Sequence, residues 1–211
     1  METIVYLIRH SKKMEKSLVV HELNNDNYQI KREKIILGVE GERRAEKLSN
    51  LPELQDIDII YSSNYVRAIQ TAKYLAEKRN LVINIDSRFG ERKLGIHGEN
   101  DINIDLEQYY DHEIKNYEGE SFKEVQDRMY QAFLEAVNNN LGKKVAIYCH
   151  GAALTFLLMK WCKLINITEE KKKTLEFKGK IICDKKFKQP EIFKVIIEDG
   201  IIKDMINIEI K

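Results

Sequence analysis

The chain has 211 residues, of which 43% are hydrophobic and 33% charged, and its formal net charge is +1. That length and apolar content support one domain with a substantial core, expected over residues 1–211, and the near-neutral balance argues against a nucleic-acid footprint or a polybasic membrane binder. No apolar run reaches membrane-spanning length, the N-terminus has no signal-peptide pattern, and Cys149, Cys162 and Cys183 show no C-x-x-C pairing, so a cytoplasmic chain with reduced thiols and no zinc site is expected.

Residues 3–8 (TIVYLI) are β-branched and continuously apolar, as in a strand buried on both faces, and they run directly into Arg9 and His10. The Lys- and Asn-rich residues 11–36 read as a surface excursion. Over residues 41–51, Ala45, Leu48 and Leu51 share one helical face. A second strand is expected over 56–61, followed by a helix with an inward stripe of Val66, Ile69, Ala72, Leu75 and Ala76, capped by Ser62, Ser63 or Asn64. Residues 81–86 supply a third short strand. Residues 88–120 keep no period, and a long irregular insertion in a compact domain tends to be functional. Ser121-x-x-Glu124 is a capping box opening a helix in which Phe122, Val125, Met129, Ala132, Phe133 and Ala136 hold the 3.6 period. A fourth strand spans 143–149, and a mostly apolar helix follows His150-Gly151. At the C-terminus two strands flank Glu198-Asp199-Gly200, a hairpin signal. Strands alternating with helices predict an α/β protein, a three-layer α/β/α sandwich with a mostly parallel central sheet and an antiparallel C-terminal strand or hairpin.

In such sheets ligands gather outside the carboxyl ends of the strands. Arg9-His10 follows the first strand, Ser62-Ser63 with Arg67 the second, and His150-Gly151 the fourth. Two arginines and two histidines are thereby expected at one spot, with Arg67 and His150 near helix N-termini that favour an anion. The pattern predicts a phosphate pocket.

Those residues also carry a family resemblance. "LIRHS" resembles the Arg-His signature of the histidine phosphatase superfamily, the phosphoglycerate-mutase-like proteins, and "YSSNYVRAIQTA" resembles its S-S-x-x-x-R-A-x-Q-T-A stretch. "RFGERKLGIHGE", "GESFKEVQDR" and "YCHGAAL" are similar to its acid segment, its G-E-S helix start and its second-histidine motif, and "LGVEGERRAEKL" is a more distant match. The resemblance implies that His10 is the nucleophile that takes the phosphoryl group, that Arg9, Arg67 and His150 bind its oxygens, and that Glu91 protonates the leaving alcohol. A neutral imidazole serves if its second nitrogen donates to a nearby carbonyl, and guanidinium groups stabilise the transferring phosphoryl group, so no metal or other cofactor is expected. The implied activity is hydrolysis of a small phosphorylated metabolite.

Some residues depart from the family pattern. Ser11 stands where Gly or Ala is usual, and Lys12-Lys13 either meet an acidic substrate or are solvated. The extended mutase signature after the Arg-His pair is missing, which favours a phosphatase over a phosphoglycerate mutase or a non-catalytic phospholigand-binding protein. Glu99, Asp101 and Glu120 are the alternatives for the acid. Strand-Cys149-His150-Gly151-helix imitates a nucleophile elbow, but Ile147 occupies its first glycine position. His21, His97 and His112 sit in polar, irregular sequence without an assigned role. Tyr109, Tyr110 and Tyr117 either line a pocket or are exposed, and specificity is expected to reside in residues 11–36 and 93–120.

Overall fold

In the computed structural model, which describes residues 1–15, 28–95 and 106–210, the expected architecture is present. The central sheet has six strands: β1 (Glu2–Arg9), β2 (Ile59–Ser62), β3 (Ile83–Ile85), β4 (Lys144–Cys149), β8 (Glu191–Glu198) and β9 (Ile201–Ile208). Their spatial order is β3-β2-β4-β1-β8-β9. The first four are parallel; β8 and β9 run antiparallel and turn through Asp199 and Gly200, at φ 50° and 76°, as a tight primed turn requires.

β1 is apolar at every central position because it lies between β4 and β8 with both faces covered. Val5 and Leu7 face one core together with Val145, Ile147 and Cys149, whereas Ile4, Tyr6 and Ile8 face the other with Ala146 and Tyr148. Helices α2 (Val39–Ser49) and α3 (Val66–Arg79) close the second core through Leu48, Ala68, Ala72, Leu75 and Ala76. Helices α4 (Phe122–Asn138) and α5 (Gly151–Leu158) close the first, and α4 opens with the expected capping box, Ser121 and Glu124 each bonding the other's backbone N–H.

Two segments differ from expectation. Residues 28–34, inside the presumed surface excursion, form α1 (Tyr28–Lys34), which has no apolar stripe to betray it. It is held by polar contacts instead, with Gln29 Nε2 donating to the Tyr65 hydroxyl at 2.7 Å. After α5, residues 163–186 form a second, antiparallel sheet of β5 (Lys163–Ile167), β6 (Lys172–Phe177) and β7 (Lys180–Lys186). Leu175, Phe177, Ile182 and Cys183 pack this sheet onto the α4–α5 side of the core. Lysines at 172, 173, 180, 185 and 186 dilute its apolar alternation, which is why the segment carries no clear strand signal.

The parallel strands end together. Arg9 pairs with Cys149 and Ser62 with Tyr148, and just beyond them His10 N donates to Cys149 O at 2.9 Å and Ser63 N to Tyr148 O at 3.0 Å. His10, Ser63 and His150 therefore emerge side by side. Among the described residues no helix is long and apolar enough to cross a membrane.

Candidate active site

At that edge a single guanidinium organises the site. Arg67, buried in the first turn of α3, donates from Nε to His10 Nε2 at 3.1 Å and sits 3.1 Å from His150 Nδ1 through Nη2. Its third nitrogen, Nη1, donates to the Arg32 carbonyl of α1 at 2.7 Å, and its plane lies 4.6 Å from the centroid of the Tyr65 ring. An arginine only donates, so each histidine nitrogen it meets must carry a lone pair. His10 is then protonated on Nδ1, which donates to the Ser11 carbonyl at 2.7 Å. His150 is protonated on Nε2, which donates to Ser63 Oγ at 2.7 Å. One arginine thus fixes opposite tautomers in two rings whose centroids are 5.1 Å apart.

Both rings are neutral at neutral pH. Burial, with the charges of Arg67 and Arg9, holds the His10 imidazole well below its usual range. Burial, Arg67 and His10 do the same to His150. Arg67 itself is lowered to about 10 by burial and keeps its proton.

Ser62, Ser63 and Asn64 do not cap α3, contrary to the sequence expectation. The N-cap position is Tyr65 and has no side-chain cap bond, because Ser63 is committed to His150 and Asn64 donates to Glu33 at 3.1 Å. Ser11 is fully buried: its N–H donates to Thr71 Oγ1 at 2.9 Å and its hydroxyl to the Gly41 carbonyl at 2.7 Å. The serine, where the resemblance leads one to expect Gly or Ala, thereby ties the His10 loop to α2.

Arg9 approaches from β1. Its Nη1 donates to the carbonyls of Phe187 at 2.7 Å and Lys188 at 3.2 Å, and its guanidinium lies against the backbone of Gly151. A Cβ at position 151 would stand 3.0 Å from Arg9 Nε, so any other residue would force the cation to shift. Arg9 Nε is buried with no hydrogen-bond partner, a donor with spare capacity beside the N-terminus of α5.

Glu91 completes the group from the irregular segment after β3. Its Oε1 accepts from Arg92 N and Ala153 N, both at 3.0 Å, and Oε2 from Ala152 N at 3.3 Å. Burial pushes the carboxyl up, but the Arg92 and Ala153 N–H groups and the charges of Arg32 and Arg67 outweigh it and leave its pKa below the ordinary value. Glu91 is therefore ionised in the unliganded site. Glu120 does not line the cavity beside Arg9, and its carboxylate is taken by Arg128 at 2.7 and 2.9 Å and by Lys93 N at 2.8 Å. Glu99 and Asp101, like His21 and His97, fall outside the described residues.

A cavity of about 280 Å³ opens beside Arg9, Glu91 and Gly151, and Tyr109 lines it, whereas Tyr110 and Tyr117 are exposed. His112 stacks on Phe122 at 3.9 Å, away from this wall. Lys12 and Lys13 do not line the cavity either; the Lys12 carbonyl instead accepts from Gly38 N at 3.2 Å and Lys13 bridges to Leu37. Cys149 is fully buried and burial pushes its thiol up, so it stays protonated and inert. Sequence reasoning missed Ser63, Arg32 and Gln108 as supports of the site. The paired serines were visible, but nothing in their spacing showed that one faces a histidine 87 positions away.

Residues 5–172 match the family model of the histidine phosphatase superfamily, branch 1. No curated protein matches the chain. Among solved structures it is similar to mycobacterial glucosyl-3-phosphoglycerate phosphatase, with 17% identity, a TM-score of 0.63 and coverage of 93% of this chain and 91% of that one. It is similar to YhfR of Bacillus stearothermophilus (21% identity, TM-score 0.62, coverage 95% and 94%). A variant of phosphoserine phosphatase from Entamoeba histolytica, in complex with phosphoserine, is likewise similar (17% identity, TM-score 0.61, coverage 96% and 96%). At these identities the likeness is one of fold.

Proposed function

Because the chain belongs to the histidine phosphatase superfamily, we propose that it hydrolyses phosphomonoesters of small metabolites through a phosphohistidine formed on His10. The observation that carries this reading is the Arg67 bridge, which leaves His10 Nε2 unprotonated, aimed at the same guanidinium that would hold a phosphate. Phosphatase names among the similar folds agree with it.

In the first step a substrate phosphate draws hydrogen bonds from Arg67 and from the spare Nε of Arg9, and His150 joins them on taking up a proton at Nδ1, the nitrogen that faces Arg67. His10 Nε2 attacks phosphorus, its Nδ1–H still held by the Ser11 carbonyl, and the P–O bond to the alcohol breaks as Glu91 delivers a proton to the leaving oxygen. In the second step water attacks phosphorus and gives its proton to Glu91, the P–N bond breaks to return neutral His10, and inorganic phosphate departs. Developing charge is met by preorganised guanidinium and N–H donors, so the reaction is assigned no metal.

Glu91 is ionised at rest, so its first proton enters with the substrate. A phosphate placed beside the carboxylate raises its proton affinity by like-charge repulsion, and a monoanionic phosphomonoester brings the proton with it.

Rapid quenching with labelled substrate under non-acidic conditions should trap a phosphoenzyme that is stable to base and labile to acid. His10→Ala should lose label and activity together. Label that persists in His10→Ala refutes the assignment of the nucleophile.

A further inference from the structure

The wall of the cavity carries more positive charge than one phosphate requires. Beyond Arg9 it continues through Arg32, Arg92, Lys171, Lys173 and Lys186. The two arginines have work in the fold: Arg32 Nη1 donates to the Arg92 carbonyl at 2.9 Å, and Arg92 donates from Nε to the Glu120 carbonyl at 2.7 Å and from Nη1 to Gln108. The lysines come from the second sheet and its β5–β6 turn.

Lys173 is the anomaly among them. β6 alternates, and Lys173 shares the inward parity of Leu175 and Phe177, where a two-residue period calls for an apolar side chain. It is 6% exposed, and its ammonium stands 4.6 Å from the Phe187 ring centroid. Among the described residues neither Lys173 nor Lys186 makes an ion pair with a carboxylate, whereas the adjacent Lys172 and Lys185 pair with Asp184 and Glu191, each at 2.9 Å. A buried ammonium without a counter-charge is costly. Burial and the nearby Arg9 pull it down to about 8, so a neighbouring anion would stabilise the charged form and be held by it.

We propose that Lys173, with Lys186 on the wall of the same cavity, binds a second anionic group of the substrate, a phosphate or a carboxylate, at the end of the molecule remote from the phosphoryl group that reaches His10. The substrate class is thereby narrowed to phosphomonoesters with two separated anions. The inference rests on the phosphatase reading only in calling the ligand a substrate, and binding tests it without turnover.

The test is calorimetric titration of the full chain carrying His10→Ala, which does not consume ligand. The probes are alkyl monophosphates, α,ω-alkanediol bisphosphates and ω-phosphooxy carboxylates with spacers of two to six carbons. At least one two-anion series should bind about ten- to a hundredfold tighter than the monophosphates, the gain expected of one charge-assisted contact. Whichever series gains identifies the second anion. The advantage should vanish with Lys173→Met, which keeps the buried stem, and shrink with Lys186→Ala at an exposed position. Equal affinity across all three series, or an advantage that survives both substitutions, overturns the inference. A wild-type chain that shows the binding pattern but turns over no phosphomonoester refutes the phosphatase reading alone.

Discussion

Glu91→Gln separates the acid from the binding group, and the structure sets what the substitution removes. With the amide oxygen at the Oε1 position, both 3.0 Å bonds, from Arg92 N and Ala153 N, are retained. The amide nitrogen then faces Ala152 N–H, which loses its 3.3 Å acceptor. The expected stability cost is one charge-assisted hydrogen bond, about 1.5–3 kcal/mol, readable by urea unfolding and small enough to leave the chain folded. Catalysis should suffer selectively. An alkoxide needs a proton as the P–O bond breaks, and a positioned acid is worth ~10²–10⁴-fold in such a step. p-Nitrophenolate leaves unprotonated. Steady-state kcat/KM should therefore fall by two to four orders of magnitude for an alkyl phosphate and by less than about tenfold for p-nitrophenyl phosphate. Because the resting carboxyl lies below its ordinary pKa, the wild-type rate on alkyl phosphates should also decline above pH ~6, where the substrate monoanion disappears. Equal losses for both substrates in Glu91→Gln would falsify the proton-transfer role and leave Glu91 as a binding or structural group.

Three further outcomes are expected. Gly151→Ala drives a methyl group to within 3.0 Å of Arg9 Nε, so KM for p-nitrophenyl phosphate should rise about tenfold or more; an unchanged KM detaches Arg9 from phosphate binding. His10 and His150 have depressed pKa values in the fold, so the stability they contribute is complete above the unfolded-state value near 6.5 and drains away as pH falls below it. Each adds a slope of up to about 1.4 kcal/mol per pH unit, separable in urea titrations from the carboxylates, including Glu91, which act below pH ~4.5; a flat profile from pH 7 to 5 contradicts the neutral assignment of the rings. Finally, hydrolysis should persist in excess EDTA and be inhibited by vanadate, and a loss in EDTA that an added metal reverses would overturn the metal-free mechanism.

The parts of this site that the sequence exposes are those tied to strand ends. Arg9-His10 and His150 stand immediately after apolar runs that could only be buried strands, and Arg67 sits in the first turn of a periodic helix, so topology alone brings them together. What it hides comes from segments with no period. α1 offers the site a backbone carbonyl, a group every residue type possesses, and its fixing contacts are polar. Lys173 is concealed for the opposite reason: a charge at an inward strand position breaks the alternation that would have revealed β6. Ser63 shows how one residue type admits two readings, since a buried serine before a helix is a cap until a histidine from another strand claims its hydroxyl.

The anchoring of Arg9 has a consequence for how this enzyme's selectivity can be altered. The three-stranded sheet enters the chain just after α5, whose first turn holds Glu91, and leaves it at Phe187 and Lys188, whose carbonyls hold Arg9. It is joined at both borders to groups of the candidate site. A graft that changes its lysines must keep the inward Leu175, Phe177, Ile182 and Cys183 and return two backbone acceptors to the place where Arg9 is held. A graft that ends one residue early or late would leave that guanidinium untethered beside Gly151.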